Sequence, residues 1–324
     1  MEKKMERMDY IDMSKGFAII AVALGHIYEN NFIRIWLCSF HLPLFLIVSG
    51  ILIKHTGVEK RNIKDVVKSR FKRLIIPYFS FEILSIIIWM ITNKQFNLET
   101  FWWNIKDTVF MYTKVGATWF LPTLFAAEVL MIMLIKLVKN SGITICLFAL
   151  IYCVPFLIKS DNHCIVVLLR ILTAIGFLAI GYYGYNYIIK MRVKNLHIIM
   201  LSIICMFLSY SNNIVDLYGL KFDNPIVYTF CSVIGAVSVI LLFKNCKVKA
   251  LQYFGNNSLI IMGTHQIILW YIINPITGIE KYGYIYGMAI LAILLVIEIP
   301  IIYFINNYAF FMLGQFNRIK QPKN

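Results

Sequence analysis

The chain has 324 residues, 60% of them hydrophobic and 15% charged, with a formal net charge of +15. Apolar runs long enough to enter a bilayer recur along it, which excludes a soluble globular enzyme. The positive charge would point to nucleic acid on a soluble protein, but here an excess of lysine and arginine on one side of a membrane accounts for it.

Hydropathy predicts an all-α polytopic membrane protein, one membrane domain over residues 1–324 with no appended soluble domain. About ten transmembrane helices are expected, near 13–29, 33–53, 74–91, 119–137, 143–158, 165–188, 196–210, 225–243, 258–274 and 284–305. With the N-terminus inside, the inner segments hold 22 of the 31 lysines and arginines. Outer segments and span ends hold only Arg34, Lys94, Lys106, Lys114, Lys159, Arg170, Lys221 and Lys281. That asymmetry predicts cytoplasmic termini. The basic N-terminus leads into an apolar run without a small-residue cleavage site, as expected of a retained first span. Seven cysteines are scattered with no CxxC pair, so neither a disulfide framework nor a metal site is expected.

The first two spans form a hairpin turning at Asn30-Asn31. At about 100° per residue, Asp12, Lys15, His26 and Glu29 fall on one stripe of the first helix, running through Ile19 and Val22. Ionisable groups in an apolar helix are costly and face a bundle interior or wet cavity. Asp12 and Lys15 also suit a helix end at the membrane surface. His26 does not, because it lies ~21 Å of helical rise beyond Asp12. His41 enters from the outer end of the second span.

The basic stretch from Val58 to Arg73 has Ile63, Val66, Val67, Phe71 and Leu74 at helical spacing, which predicts an amphipathic helix on the inner leaflet. Arg61, Lys64, Lys68 and Lys72 project away from that face. Arg70 falls among its apolar residues and Arg73 at its edge, so Arg70 needs an anionic partner, either a phosphate or a carboxylate of the fold. Pro77-Tyr78 opens the third span, which carries Glu82. The outer segment 92–118 holds Phe96, Phe101, Trp102, Trp103 and Tyr112, an aromatic belt or a sugar-stacking surface. Glu128 lies ~13 Å below Trp119 in the fourth span. Arg170 either partners Glu128 or snorkels to the outer surface. Asn257 or Ser258 is expected to cap the ninth span, His265 follows two turns in, and Glu298 stands just before Pro300 in the last.

No HExxH, GxSxG, P-loop or dinucleotide fingerprint is present. A basic face on the inner side and two histidines in the outer part of a hairpin suit a reaction across the bilayer. There His26, as a neutral imidazole, can take a hydroxyl proton.

Asp12-x-x-Lys15-Gly16 followed by His26 resembles the opening of the acyltransferase-3 family, a basic residue, ten positions and then histidine. SFHLPLFLIVSG (39–50) resembles its second-span signature, and Arg70 and Arg73 with Pro77-Tyr78 match its basic motif. WFLPTLF (119–125) and GNNSLIIMGTH (255–265) resemble later signatures, those of the fucose O-acetylase-like or exopolysaccharide O-acetyltransferase branch. Lys15 departs from the arginine of many members, keeping charge but losing the bidentate fork.

The resemblance implies an integral-membrane O-acetyltransferase in the cell (plasma or inner) membrane. Acetyl-CoA would be the donor and a hydroxyl of an extracytoplasmic glycan, free or lipid-linked, the acceptor. It implies His26 and His41 as catalytic, and Lys15, Arg70 and Arg73 as donor-binding. Asp12, Trp119, Glu128 and His265 fall on the substrate side. No metal or nucleic acid enters; the partners are membrane lipid and the glycan. A transporter or flippase for a lipid-linked glycan is the competing expectation, resting on the number of charges inside spans.

Overall fold

A computed structural model describes residues 8–28, 32–113, 116–212, 215–277 and 283–316. Glu29 and the Asn30-Asn31 turn lie outside the described residues, as do Lys3, Lys4, Arg7, Lys114, Lys281, Arg318, Lys320 and Lys323.

In chain order the helices are α1 (Asp9–Ile27), α2 (Phe32–Thr56), α3 (Ile63–Arg70), α4 (Ile76–Thr92), α5 (Leu98–Val109), α6 (Phe120–Leu137), α7 (Ser141–Leu157), α8 (His163–Lys190) and α9 (Asn195–Ser209). A two-stranded hairpin, β1 (Val215–Asp216) and β2 (Lys221–Phe222), precedes α10 (Pro225–Asn245), α11 (Lys249–Asn256), α12 (Ser258–Ile268), α13 (Asn274–Thr277) and α14 (Tyr284–Asn307). Among the described residues, eight helical stretches are long and apolar enough to cross a membrane, making this a multi-pass membrane protein. Two further apolar helices, α7 and α9, have 17 and 15 residues. They coincide with the fifth and seventh expected spans.

Two sequence expectations change. The basic segment and the third span are one continuous helix from Ile63 to Thr92, not a surface helix followed by a separate span. They are joined by a π-helical turn, Phe71–Ile75, in which the Ile76 N–H reaches the Phe71 carbonyl. Pro77 supplies the reason. It has no N–H for the Arg73 carbonyl and its ring crowds that oxygen, so a widened turn lets the helix continue through it. The same device recurs at π-helical Leu269–Ile273, two residues before Pro275. The second change is the β1–β2 hairpin, which lies between the seventh and eighth expected spans in a polar segment that carries no recognisable motif. Asp216 fixes its turn by accepting from the Tyr218 and Gly219 N–H groups at 2.9 and 3.1 Å.

The chain divides into two compact units. Unit 1 comprises residues 1–63 and 126–258, unit 2 residues 64–125 and 259–324.

Unit 1 is held by close backbone approaches at glycines. A Cβ on Gly50 would collide with the Leu178 carbonyl, and one on Gly181 with the Ile47 carbonyl, so α2 and α8 touch backbone to backbone. Gly16 and Gly255 do the same for α1 and α11. Between membrane helices, where lipid gives no hydrophobic drive, such small-residue contacts are a principal source of attraction. Pro43 leaves the Ser39 carbonyl without its helical donor, and Ser232 Oγ of α10 donates to it instead. Asn140, Asn162 and Asn224 cap α7, α8 and α10 with side-chain oxygens on the first free N–H groups. At the other end of α8, Lys244 Nζ donates to the carbonyls of Ile188, Ile189 and Met191 at 3.1, 2.8 and 2.8 Å.

In unit 2, α4 and α12 meet where Gly263 lies flat against the Phe81 ring. Helix α5 is amphipathic the wrong way round for water. Asn104 and Thr108 are buried, while Leu98, Trp102 and Val109 are 78, 63 and 59% exposed. Its buried polar groups are satisfied locally. Asn104 Nδ2 donates to Thr100 O at 2.7 Å and Thr108 Oγ1 to Asn104 O at 3.0 Å. The Tyr78 hydroxyl of α4 donates to Thr108 O at 2.7 Å.

Candidate active site

Each unit carries part of the sequence-predicted set. In unit 1 the expected stripe on α1 is buried at Asp12, Ile19 and Val22, half-buried at Lys15 and exposed at His26. Asp12 and Lys15, one turn apart, form an ion pair of 2.7 Å. The lysine is half-buried, so its ammonium is oriented by the carboxylate and not dispersed in solvent. Asn257, expected as a helix N-cap, instead donates its amide to the Tyr253 carbonyl at the end of α11, at 2.8 Å.

His26 sits in the last turn of α1 and is exposed. His41 lies inside α2 and is buried. The register of the hairpin is set one residue before His26, where Gly25 faces the Cys38 thiol. His41 follows Cys38 by three residues, about 4.5 Å of rise. His26 lies one residue beyond Gly25 in the opposite sense, so the two histidine backbones are offset by about 6 Å, roughly one helical turn, on antiparallel helices.

The His41 ring folds back onto its own helix, with Nδ1 2.6 Å from the Leu37 carbonyl oxygen. A carbonyl only accepts, so Nδ1 carries the hydrogen and, in the neutral ring, Nε2 is the bare nitrogen. His265 in unit 2 repeats the arrangement, with Nδ1 2.6 Å from Ile261 O.

Glu128 in unit 1 is buried. Arg170, expected either to partner it or to reach the outer surface, does not snorkel. It is only 2% exposed, and its guanidinium lies 4.0 Å from the Tyr218 ring centre. The β1–β2 hairpin brings that tyrosine there, and no sequence signal announced it.

In unit 2 the rotation argument for the basic helix holds. Val66 is buried and Arg70 shares its face half-buried, whereas Arg73, in the π-helical turn, is exposed. Trp119 is buried, edge-on to Phe120.

Sequence reasoning missed what fixes Trp119. The two residues before it are held by side chains from different helices. Ala117 N–H donates to Gln266 Oε1 of α12 at 2.8 Å, and Thr118 Oγ1 donates to Glu82 of α4. Glu82 was visible as a charge in an apolar run, but Gln266, one position after the predicted His265, carried no signal of its own. A further buried contact joins Thr264 of α12 to Glu298 of α14.

Unit 1 thus holds an oriented lysine and a hairpin with two imidazoles, and unit 2 holds an arginine-bearing helix. Cations and imidazoles are the group types that acyl transfer to a hydroxyl uses. A family model described as an acyltransferase domain, Acyl_transf_3, matches residues 8–306. Neither a curated protein nor a solved structure matches the chain. The match spans nearly the whole sequence and all of the candidate residues, and the chain belongs to the acyltransferase-3 family.

Proposed function

We propose that this membrane acyltransferase is an O-acetyltransferase of the cell membrane, with ten spans and both termini in the cytoplasm. It would take an acetyl group from cytoplasmic acetyl-CoA and place it on a hydroxyl of an extracytoplasmic or lipid-linked glycan. Lys15, oriented by Asp12, and Arg70 with Arg73 hold the donor's phosphates, where arginine's planar fork suits the oxygens. His26 is the general base. The acceptor oxygen attacks the thioester carbonyl, its proton passes to the imidazole, and the C–S bond breaks. The imidazolium then returns the proton to the CoA thiolate. His41 supplies Nε2 as a second acceptor that orients the hydroxyl or the His26 ring. Trp119, Glu128 and His265 belong to the acceptor side.

The observation that carries this reading is the committed Nδ1–H of His41, which leaves its Nε2 as the acceptor that orients the hydroxyl or the His26 ring. Purified protein in liposomes, with labelled acetyl-CoA inside and glycan outside, tests it. Label on the acceptor is the expected outcome. Acceptor movement without acetylation would replace this reading with transport.

A further inference from the structure

Glu298 has no part in the proposed transfer, yet it lies within α14, a span, and is wholly buried. Its two carboxyl oxygens lie 2.8 and 2.9 Å from Thr264 Oγ1. The same Oγ1 is 2.8 Å from the Ile260 carbonyl, one turn earlier on α12. Thr264 is the one hydrogen-bonding partner of Glu298 among the described residues, and no lysine, arginine or histidine pairs with it there.

Counting hydrogens decides the state of this group. A threonine hydroxyl has a single hydrogen and two lone pairs, and an ionised carboxylate only accepts. With Glu298 ionised, one hydrogen would face three acceptor oxygens, and a buried charge would have no cation beside it. One added proton resolves both difficulties. The Glu298 O–H then donates to Thr264 Oγ1, and the Thr264 O–H donates to the Ile260 carbonyl, so each hydrogen has its own acceptor.

We infer that Glu298 is a membrane-embedded proton-binding site, a neutral carboxylic acid that ties α14 to α12 through Thr264. Thr264 directly precedes His265, so the link holds the turn of α12 that presents this imidazole. Removing the proton leaves the single Thr264 hydrogen to be divided between the Glu298 carboxylate and the Ile260 carbonyl. The inference is independent of what the enzyme acylates.

Infrared spectroscopy of the full chain in lipid nanodiscs at neutral pH tests it. The wild-type minus Glu298→Gln difference spectrum should contain the carbonyl stretch of a protonated carboxyl, moving to lower frequency in D₂O. Thr264→Val should shift that band upward, because the acid loses its acceptor. A difference spectrum containing only carboxylate stretches would overturn the assignment. If Glu298→Gln does not fold, Thr264→Val decides alone: an upward-shifted carboxyl band supports the site, and an unchanged protonated-carboxyl region rejects it.

Discussion

Gly16 and Gly255 bring α1 and α11 into direct backbone contact. A Cβ on Gly16 would overlap the Leu251 carbonyl, and one on Gly255 would overlap the carbonyl of Asp12, the residue that orients Lys15. Asp9 of the same helix accepts from Gln252 Nε2 at 2.8 Å, adding a polar tie near this crossing. The polar end of the candidate site is therefore set by the absence of two side chains.

The first prediction follows from that crossing. Gly16→Ala or Gly255→Ala forces α1 and α11 apart and should cost about 1–3 kcal/mol, the range for overpacking a tight contact. Thermal unfolding of purified protein in detergent measures it. Gly283→Ala is the control, since nothing lies within 4 Å of a Cβ there. Equal midpoints for Gly255→Ala and Gly283→Ala would show that the contact carries no weight.

Arg70 supplies the second. If it holds a donor phosphate, Arg70→Ala loses a charge-assisted hydrogen bond, about 1.5–3 kcal/mol of binding. Arg70→Lys should recover only part, because an ammonium keeps the charge without the fork. Isothermal titration with acetyl-CoA reads this directly. A donor affinity unchanged in a folded Arg70→Ala would remove Arg70 from the site.

The third prediction concerns α5. Leu98, Trp102 and Val109 share one exposed stripe, while Lys106 lies beside Trp103 on the neighbouring face, 4.7 Å from its ring centre. Exposed apolar residues also run up α4 at Ile83, Ile87 and Ile91. An inside-out helix of this kind is stable where its apolar face meets lipid, with aromatic rings at the headgroup level. Spin labels at Trp102→Cys and Val109→Cys should collide mainly with oxygen, and a label at Lys106→Cys mainly with a water-soluble nickel complex. An impermeant thiol reagent should reach Lys106→Cys in intact cells if this segment is extracytoplasmic. Aqueous accessibility at position 102 equal to that at 106 would place the helix in water instead.

The sequence showed well those features that depend on residues near one another along the chain. The α1–α2 hairpin, the shared stripe of Asp12 and Lys15, and the half-buried rotation of Arg70 follow from helical periodicity alone. The sequence places Pro77-Tyr78 at the opening of the third span, and the π-helical turn that lets the helix run through Pro77 leaves no compositional mark. Contacts between distant positions were not legible. Glu82 and Thr118 are 36 residues apart and Thr264 and Glu298 are 34 apart. The cost of a charge inside a span was readable from sequence, but the partner that meets that cost is chosen by packing. Arg170 illustrates the same limit. Its place near a span end allowed snorkelling, and only the β1–β2 turn, built around Asp216, brings Tyr218 over it.

The last prediction separates the two histidines of the hairpin. His26 is exposed at the end of α1, while His41 is buried with Nδ1–H committed to Leu37; in the proposed topology an acceptor hydroxyl reaches His26 from outside. A hydroxyl is a poor nucleophile at neutral pH, and a positioned base typically contributes a factor of 10²–10⁴. His26→Ala should therefore lower acetyl transfer by roughly that factor while leaving expression, topology and acetyl-CoA affinity intact. His41→Ala should cost less if the ring only orients the acceptor or the base. Replacing His41 with Asn, whose amide N–H can donate to a carbonyl while its oxygen accepts, should then recover part of the loss, because orienting needs an acceptor and not a base. If His41 is itself the base, His41→Asn stays as inactive as His41→Ala, and the roles of the two residues exchange. An acetyl group trapped on His26, seen by mass spectrometry after quenching with donor alone, would replace base catalysis with a covalent relay through that ring. Near-normal transfer by both His26→Ala and His41→Ala would take the chemistry out of the hairpin altogether.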